Sequence, residues 1–166
     1  MKPTRVFIHG LESSGTGTKG AFFRDKYPDM IIENFVGPFQ DRMEKLNKTL
    51  SGKSSLILVG SSYGGLMAAV YAFNNAGRIR RLILLAPALN LHEFEPYLGR
   101  RLLIPTVIYH GRHDDVVSPS SVQDIARKIF ANCEYHLVDD DHSLHRTFSL
   151  MDWDGLLETS RAVSHM

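Results

Sequence analysis

The chain has 166 residues, of which 43% are hydrophobic, and a formal net charge of +1. This length predicts a single domain over residues 1–166 with a sizeable core. Without an apolar run near the ~20 residues of a membrane span, no membrane partner is expected. The N-terminus carries no signal-peptide pattern, the charges are interspersed, and the single cysteine Cys133 excludes an internal disulfide. We therefore expect a cytoplasmic protein without a nucleic-acid partner.

Short apolar runs alternate with amphipathic stretches along the chain. The runs are dense in Val, Ile and Leu, which is typical of parallel strands buried on both faces. They predict strands at residues 5–9, 30–35, 55–60, 81–86, 106–110 and 134–138. Helices are predicted at residues 19–26, 41–50, 62–75, 120–130 and 145–157. This alternation predicts an α/β fold, a three-layer α/β/α sandwich around a six-stranded parallel sheet.

A Gly-Ser-Ser-Tyr-Gly turn at residues 60–64 joins the third predicted strand to the third predicted helix. It matches G-x-S-x-G, a pattern that holds a serine on a strained turn with its Oγ exposed. The N-terminus of the following helix favours negative charge at the same place. The turn predicts Ser62 as a nucleophile. Ser61 is an alternative that the glycine spacing disfavours, and a glycine-rich turn without chemistry is the other interpretation.

Residues suited to activate a serine follow two later strands. A serine needs a general base, and the base needs an acid that fixes its tautomer. Asp114 and Asp115 follow the fifth predicted strand. His142 lies in the loop after the last predicted strand, whereas His136 lies within that strand and His145 is predicted to open the last helix. The order serine, aspartate, histidine is the one that this arrangement requires on an α/β sheet.

Four stretches resemble the α/β-hydrolase superfamily: His9-Gly10, the serine turn, residues 111–119 and Asp-His-Ser-Leu at residues 141–144. Residues 111–119 are similar to a G-x-x-D-x-x-V-P stretch, with Ser118 as an extra residue before the proline. The resemblance puts Asp114 in the acid position and His142 in the base position, and leaves Asp115 as a neighbour or cap. It also implies that the backbone N–H groups of Leu11 and Tyr63 are the oxyanion donors. The substrate-binding residues that it implies lie in the first loop and are His9, Gly10 and Glu12.

The small size and the opening His-Gly-Leu loop are similar to compact bacterial esterases of the YqiA type. This resemblance implies a sheet that lacks the two leading strands of the family, with strand order 2-1-3-4-5-6. It implies a serine hydrolase that cleaves short-chain carboxylic esters or thioesters through an acyl-enzyme, without a cofactor. A catalytically silent binding module and an amidase or peptidase on the same fold are the alternatives.

Three other features of the sequence have weaker interpretations. Residues 87–105 are irregular and are predicted to overhang the site as a minimal cap. Gly15 and Gly20 have the spacing of a phosphate loop, but the Lys and Ser/Thr of that motif are missing. A metal site is disfavoured because strand and loop geometry is expected to splay its candidates, which are His110, His113, Asp114, Asp115, His142 and His145.

Overall fold

A computed structural model of the chain describes residues 2–11 and 14–159. Six strands form one parallel sheet in the order β2-β1-β3-β4-β5-β6. The fold class and the strand order predicted from the sequence are confirmed. The strands are β1 (Thr4–Ile8), β2 (Ile31–Ile32), β3 (Leu56–Ser61), β4 (Ile79–Leu85), β5 (Thr106–Gly111) and β6 (Cys133–Val138).

Helices cover both faces of the sheet. They are α1 (Thr18–Lys26), α2 (Phe39–Thr49), α3 (Tyr63–Asn74), α4 (Pro119–Ile129) and α5 (Trp153–Leu156). Helices α2, α3 and α4 share one apolar cluster with the sheet, and α1 shares a second cluster with the segment after β6. Within residues 2–11 and 14–159, no helix is long and apolar enough to cross a membrane.

Strand β2 is shorter than the predicted run at residues 30–35. Only Ile31 and Ile32 pair with β1. The backbone N–H of Phe35 instead donates a hydrogen bond to Nε2 of His9 at 2.8 Å, and the Phe35 side chain is buried. The chain therefore leaves the sheet because a side chain, rather than a neighbouring strand, takes up this N–H group.

The predicted last helix at residues 145–157 is wrong. The segment contains a 3-10 turn (Phe148–Leu150) and the four-residue helix α5. The Asp140 carboxylate accepts hydrogen bonds from the backbone N–H groups of Arg146 and Thr147, at 3.0 and 2.7 Å. Aspartate side chains that capture nearby N–H groups compete with a helix, and a helix starts again only where the Asp152 side chain caps α5.

The irregular stretch at residues 87–105 packs along α3. Its 3-10 helix (His92–Tyr97) buries Phe94, whose ring centroid lies 6.0 Å from that of Phe73 near the end of α3. The stretch begins beside the serine turn, where the Ala88 N–H donates to the Ser62 carbonyl at 3.0 Å. The aromatic contacts of this stretch thus lie at the end of α3 away from Ser62.

Candidate active site

Ser62 stands between β3 and α3 in a strained backbone conformation. Its φ is 56° and its ψ is −115°, a region that costs a non-glycine residue on the order of 1–3 kcal/mol. The surrounding backbone holds this conformation. The Ser62 N–H donates to Leu85 O at 2.8 Å, and the Ser62 carbonyl accepts from the N–H groups of Gly65, Leu66 and Ala88. Strain of this kind persists only where neighbours impose it, and it clusters at functional sites.

Two glycines allow the close packing that this turn requires. A Cβ at Gly60 would overlap the carbonyl oxygen of Gly64, and a Cβ at Gly64 would overlap the carbonyl oxygen of Ile8 in β1. Backbone atoms cannot move aside as a flexible side chain can. The glycine spacing of the motif therefore reflects contact between the turn, the start of α3 and β1.

Three side chains that the sequence predicted form a continuous hydrogen-bonded chain. Ser62 Oγ lies 3.0 Å from Nε2 of His142, and Nδ1 of His142 lies 2.7 Å from Oδ2 of Asp114. These distances lie within the reach needed for proton transfer and for orienting a base. The residues come from the carboxyl ends of β3, β5 and β6, which meet at one edge of the parallel sheet.

The Asp114 carboxylate is fully buried and is surrounded by hydrogen-bond donors. Its Oδ1 accepts from the N–H groups of Val116 and Val117, each at 2.8 Å. The extra residue Ser118 caps α4, because its side chain accepts from the Ser121 N–H. Asp115 is exposed, so it is a neighbour of the acid, and Ser118 has the capping role.

The loop after β6 that carries His142 is held by its own aspartates. Asp140 accepts three backbone N–H groups. Asp141 accepts from His145, whose hydrogen bond lowers the pKa of that carboxyl to about 2. His145 therefore belongs to this turn and does not open a helix. The loop ends at Leu144, which is fully buried although its φ is +54°.

A lysine from another helix also holds this loop. Lys19 of α1 donates from Nζ to the Ser143 carbonyl at 2.7 Å. Burial lowers the pKa of Lys19, while the carboxylates of Asp141 and Asp140 oppose that shift. Lys19 thus contacts Ser143, the residue next to His142, and this contact was not predicted from the sequence. A lysine on a short amphipathic helix carries no local signal for such a contact.

The predicted oxyanion donors follow two adjacent strands, β1 and β3. Tyr63 is the first residue of α3, where backbone N–H groups lack an acceptor within the helix. Leu11 follows β1, and β1 pairs directly with β3 at Ile8 and Gly60. The loop after β1 therefore starts beside the serine turn. Glu12, predicted to bind substrate, lies outside the described residues.

His9 has a different role from the substrate binding that was predicted for it. The residue is buried, and both of its ring nitrogens have partners within the protein. Nε2 accepts from the Phe35 N–H, so Nδ1 carries the proton and donates to the Gly10 carbonyl at 2.6 Å. Burial lowers the pKa of His9, which agrees with this neutral tautomer. His9 thus leaves no ring nitrogen for a substrate and holds the buried Gly10 in place.

His110 contacts the acid of the site, although its sequence position suggested only a metal ligand. Its ring is fully buried, and Nε2 lies 3.1 Å from Oδ2 of Asp114 and 2.9 Å from the Val117 carbonyl. His110, Asp114 and His142 therefore converge, and the expectation that they would splay was wrong. Alternation in β5 could have indicated that His110 is buried, because Ile108 on the same face of the strand is a core residue. A buried polar side chain needs a hydrogen-bond partner.

Ser62 is half-buried, and apolar side chains are exposed at the same edge of the sheet. Leu11, Val36 and Val116 are 53%, 76% and 66% exposed in loops that follow β1, β2 and β5. Two surface cavities of about 390 and 270 Å³ share Tyr109 and Asp152 as lining residues, and none of Ser62, Asp114 and His142 lines them. In the described residues, no group of three or more histidine, cysteine or carboxylate side chains is arranged to hold a metal ion.

Comparisons with known proteins support the same architecture. A family profile described as "Serine aminopeptidase, S33" matches residues 30–103, which include Ser62. A structure named as a YdeN-like hydrolase from Pectobacterium atrosepticum is 22% identical, with a TM-score of 0.72 over 95% of this chain and 88% of that chain. An esterase from Exiguobacterium antarcticum is 13% identical, with a TM-score of 0.75 over 96% and 90%.

A third solved structure belongs to the same group. An alpha-beta serine hydrolase homologue from Coxiella burnetii is 18% identical, with a TM-score of 0.72 over 95% of this chain and 85% of that chain. No curated protein sequence matches the chain. At these identities the structural likeness shows the fold, and the chemistry must be argued from the residues.

Proposed function

We propose that this chain, which has the α/β-hydrolase fold, is a serine hydrolase that cleaves short-chain carboxylic esters or thioesters. One observation carries the proposal: Ser62 Oγ lies 3.0 Å from Nε2 of His142, whose Nδ1 lies 2.7 Å from Asp114 Oδ2. A serine, a base in contact with it and an acid that fixes the tautomer of the base are the parts that acyl transfer needs.

Acylation begins when Ser62 Oγ attacks the carbonyl carbon of the ester or thioester. His142 Nε2 takes the hydroxyl proton, and Asp114 stabilises the imidazolium that forms. The tetrahedral intermediate collapses as His142 gives this proton to the leaving alcohol or thiol. The acyl group remains on Ser62 as an ester. In deacylation, His142 takes a proton from water as the water oxygen attacks the acyl carbon. The second tetrahedral intermediate then collapses, the bond between the acyl carbon and Ser62 Oγ breaks, and His142 returns the proton to Ser62 Oγ as the carboxylic acid leaves.

The developing oxyanion is stabilised by backbone N–H groups of Tyr63 and Leu11. The N-terminus of α3 adds a partial positive charge at the same point. Removing one such donor typically costs ~2.7–4 kcal/mol of transition-state stabilisation. His9 contributes indirectly, because its hydrogen bond to the Gly10 carbonyl orients the loop that carries Leu11.

The proposed substrates have short acyl groups, which need little apolar contact. The exposed side chains of Leu11, Val36 and Val116 offer a small apolar contact. The two cavities on the surface are lined by other residues. The small apolar contact, rather than either cavity, is therefore offered to the acyl group and favours acyl chains of a few carbons.

The test compares Ser62→Ala with Ser61→Ala on p-nitrophenyl acetate and butyrate. Ser62→Ala should remove hydrolysis above the uncatalysed rate, because the nucleophile is lost, while the circular dichroism spectrum stays unchanged. Ser61→Ala is the matched control and should keep most of the activity, since Ser61 has no place in the hydrogen-bonded chain. Equal activity in wild type and Ser62→Ala would disprove the assignment.

A fluorophosphonate probe and a substrate panel separate this proposal from its two alternatives. Folded wild-type protein should be labelled at Ser62, and failure to label would favour a catalytically silent binding module. The panel should pair each acyl group as an oxygen ester, a thioester and an anilide. Faster turnover of the anilide would favour an amidase or peptidase on the same fold.

A further inference from the structure

A second histidine contacts the acid of the proposed triad. Nε2 of His110 lies 3.1 Å from Asp114 Oδ2, the oxygen that His142 also contacts at 2.7 Å. Both the His110 ring and the Asp114 carboxylate are fully buried. The carboxylate thus has backbone N–H donors on Oδ1 and two imidazoles on Oδ2.

The partners of His110 determine its tautomer. Both atoms near Nε2 are acceptors, namely the carbonyl oxygen of Val117 and Oδ2 of Asp114. Nε2 must therefore carry the proton. Nδ1 is buried and has no hydrogen-bond partner. A proton on Nδ1 would lack an acceptor in the interior, which is costly.

His110 is therefore a neutral donor. Burial lowers the pKa of His110, and the nearby His142 acts in the same direction, whereas Asp114 opposes the shift. Tyr135 on the neighbouring strand β6 also lies near Asp114 and keeps its hydroxyl on the Pro119 carbonyl, at 3.1 Å. Among the described residues, the titratable groups that act on His110 are thus the Asp114 carboxylate and the His142 imidazole.

We propose that His110 is a positioning residue that shares the Asp114 carboxylate with His142 and so sets the orientation and basicity of the catalytic pair; this role rests on the proposed function. Two backbone donors hold Oδ1. The His110 ring, whose N–H is hydrogen-bonded to the Val117 carbonyl, lies 3.1 Å from Oδ2 and limits the rotation of the carboxylate, so that Oδ2 points at His142. The positive end of the same N–H dipole lies beside Oδ2 and offsets part of its negative charge. His142 is then stabilised less in its charged form than it would be beside a carboxylate held for it alone.

The test replaces His110 with phenylalanine, which keeps the ring and removes the donor. In His110→Phe, kcat should fall roughly 10- to 100-fold with KM within a factor of two, because the acid loses its orientation. The acid limb of the kcat/KM profile should move to higher pH by about one unit, because Asp114 then stabilises the His142 imidazolium alone.

Two further variants separate positioning from simple packing. His110→Gln places an amide N–H near the same point and should recover most of kcat and the wild-type acid limb. His113→Phe is the control, because this exposed neighbour contacts Asp139 and lies outside the triad; it should leave both unchanged. A lower melting temperature in His110→Phe with an unmoved acid limb would overturn the proposal.

A nuclear magnetic resonance measurement distinguishes failure of this inference from failure of the proposed function. In 15N-histidine-labelled wild-type protein, His110 should be the neutral Nε2–H tautomer at pH 7 to 8, and this holds whether or not any ester is cleaved. The downfield proton of His142 Nδ1–H should shift in His110→Phe and return towards its wild-type position in His110→Gln. An Nδ1–H tautomer at His110, or an unshifted proton, would disprove the contact.

Discussion

Two histidines at the carboxyl edge of the sheet are buried and neutral. His9 has a backbone partner on each ring nitrogen, and His110 donates from Nε2 while its Nδ1 has no partner. Burial lowers the pKa of both below the ordinary value of 6.5. Unfolding releases both rings to water, where they regain that value. At this scale, single buried rings make the site depend on pH before any chemistry occurs.

These lowered pKa values predict a loss of stability in mild acid. Below pH 6.5 the unfolded chain binds protons that the folded chain does not, so the free energy of unfolding falls as pH falls. Each ring contributes at most ~1.4 kcal/mol per pH unit. Urea unfolding measured from pH 5 to 7 should show this slope, and this range lies above the region where aspartates titrate.

The control for this slope uses one buried and one exposed histidine. His110→Gln should reduce the slope by about half, since one of two rings is removed. His113→Gln should not change it, because this ring is exposed. A stability that stays constant from pH 7 to pH 5 would contradict the neutral assignment of both rings.

The element that presents His142 is the loop after β6, whose shape comes from side-chain hydrogen bonds. Asp140 accepts backbone N–H groups from Asp141, Arg146 and Thr147. Leu144 anchors the loop in the second apolar cluster. Asp139, the residue before Asp140, points outward and contacts the exposed side chains of His113 and Arg146. Neighbouring aspartates therefore have unequal structural roles.

Asp140→Ala should loosen this loop. Three N–H groups lose their acceptor, which we expect to cost ~1–3 kcal/mol in the free energy of unfolding. The kcat for p-nitrophenyl butyrate should fall roughly 10- to 100-fold, because His142 is no longer held in line with Ser62. Urea unfolding and steady-state kinetics measure the two effects.

Asp139→Ala is the matched control for the loop. Its ion pairs are exposed, and exposed pairs contribute between 0 and about 1 kcal/mol. Activity and stability should stay close to wild type. Equal losses in Asp139→Ala and Asp140→Ala would mean that loop charge, rather than the hydrogen bonds of Asp140, supports the site.

At the scale of the whole molecule, the segment after β6 closes the second face of the sheet. Trp153 is buried against Phe23 of α1, with ring centroids 4.8 Å apart, and its Nε1 donates to the Phe148 carbonyl at 2.8 Å. Arg5 of β1 donates to the carbonyl of Leu157 at 2.6 Å. The first strand and the last described helix are thus joined across the molecule.

Trp153→Ala should destabilise the entire fold. Truncating a buried aromatic side chain typically costs ~3–5 kcal/mol, a large share of the ~5–15 kcal/mol that holds a domain together. The denaturation midpoint should fall, while the kcat of the folded fraction stays close to wild type because the triad lies at the strand edge. Leu150→Ala, at a side chain that is 83% exposed, should change the midpoint little.

Local patterns determined most of the fold and the identity of the three central side chains. Dense apolar runs specify buried parallel strands, and the G-x-S-x-G turn marks Ser62 because a Cβ at residue 60 or 64 would overlap the backbone of the turn or of β1. The predicted strand at residues 30–35 and the predicted helix at residues 145–157 failed for the same reason. In each, a side chain takes the backbone N–H groups that regular structure would use: His9 bonds Phe35, and Asp140 bonds Arg146 and Thr147.

Only the tertiary structure decided how the site is held. Ser62 and His142 are 80 residues apart, and Asp114 and His142 are 28 apart, so their contacts depend on the packing of the whole sheet. The alternation in β5 indicates that His110 is buried, but no local pattern predicts its contact with Asp114. The contact of Lys19 with the Ser143 carbonyl and the hydrogen bonds of His9 likewise have no local signal. Hydrogen bonds between buried groups depend on which helices, strands and loops pack together. A single sequence indicates these elements but not how they pack.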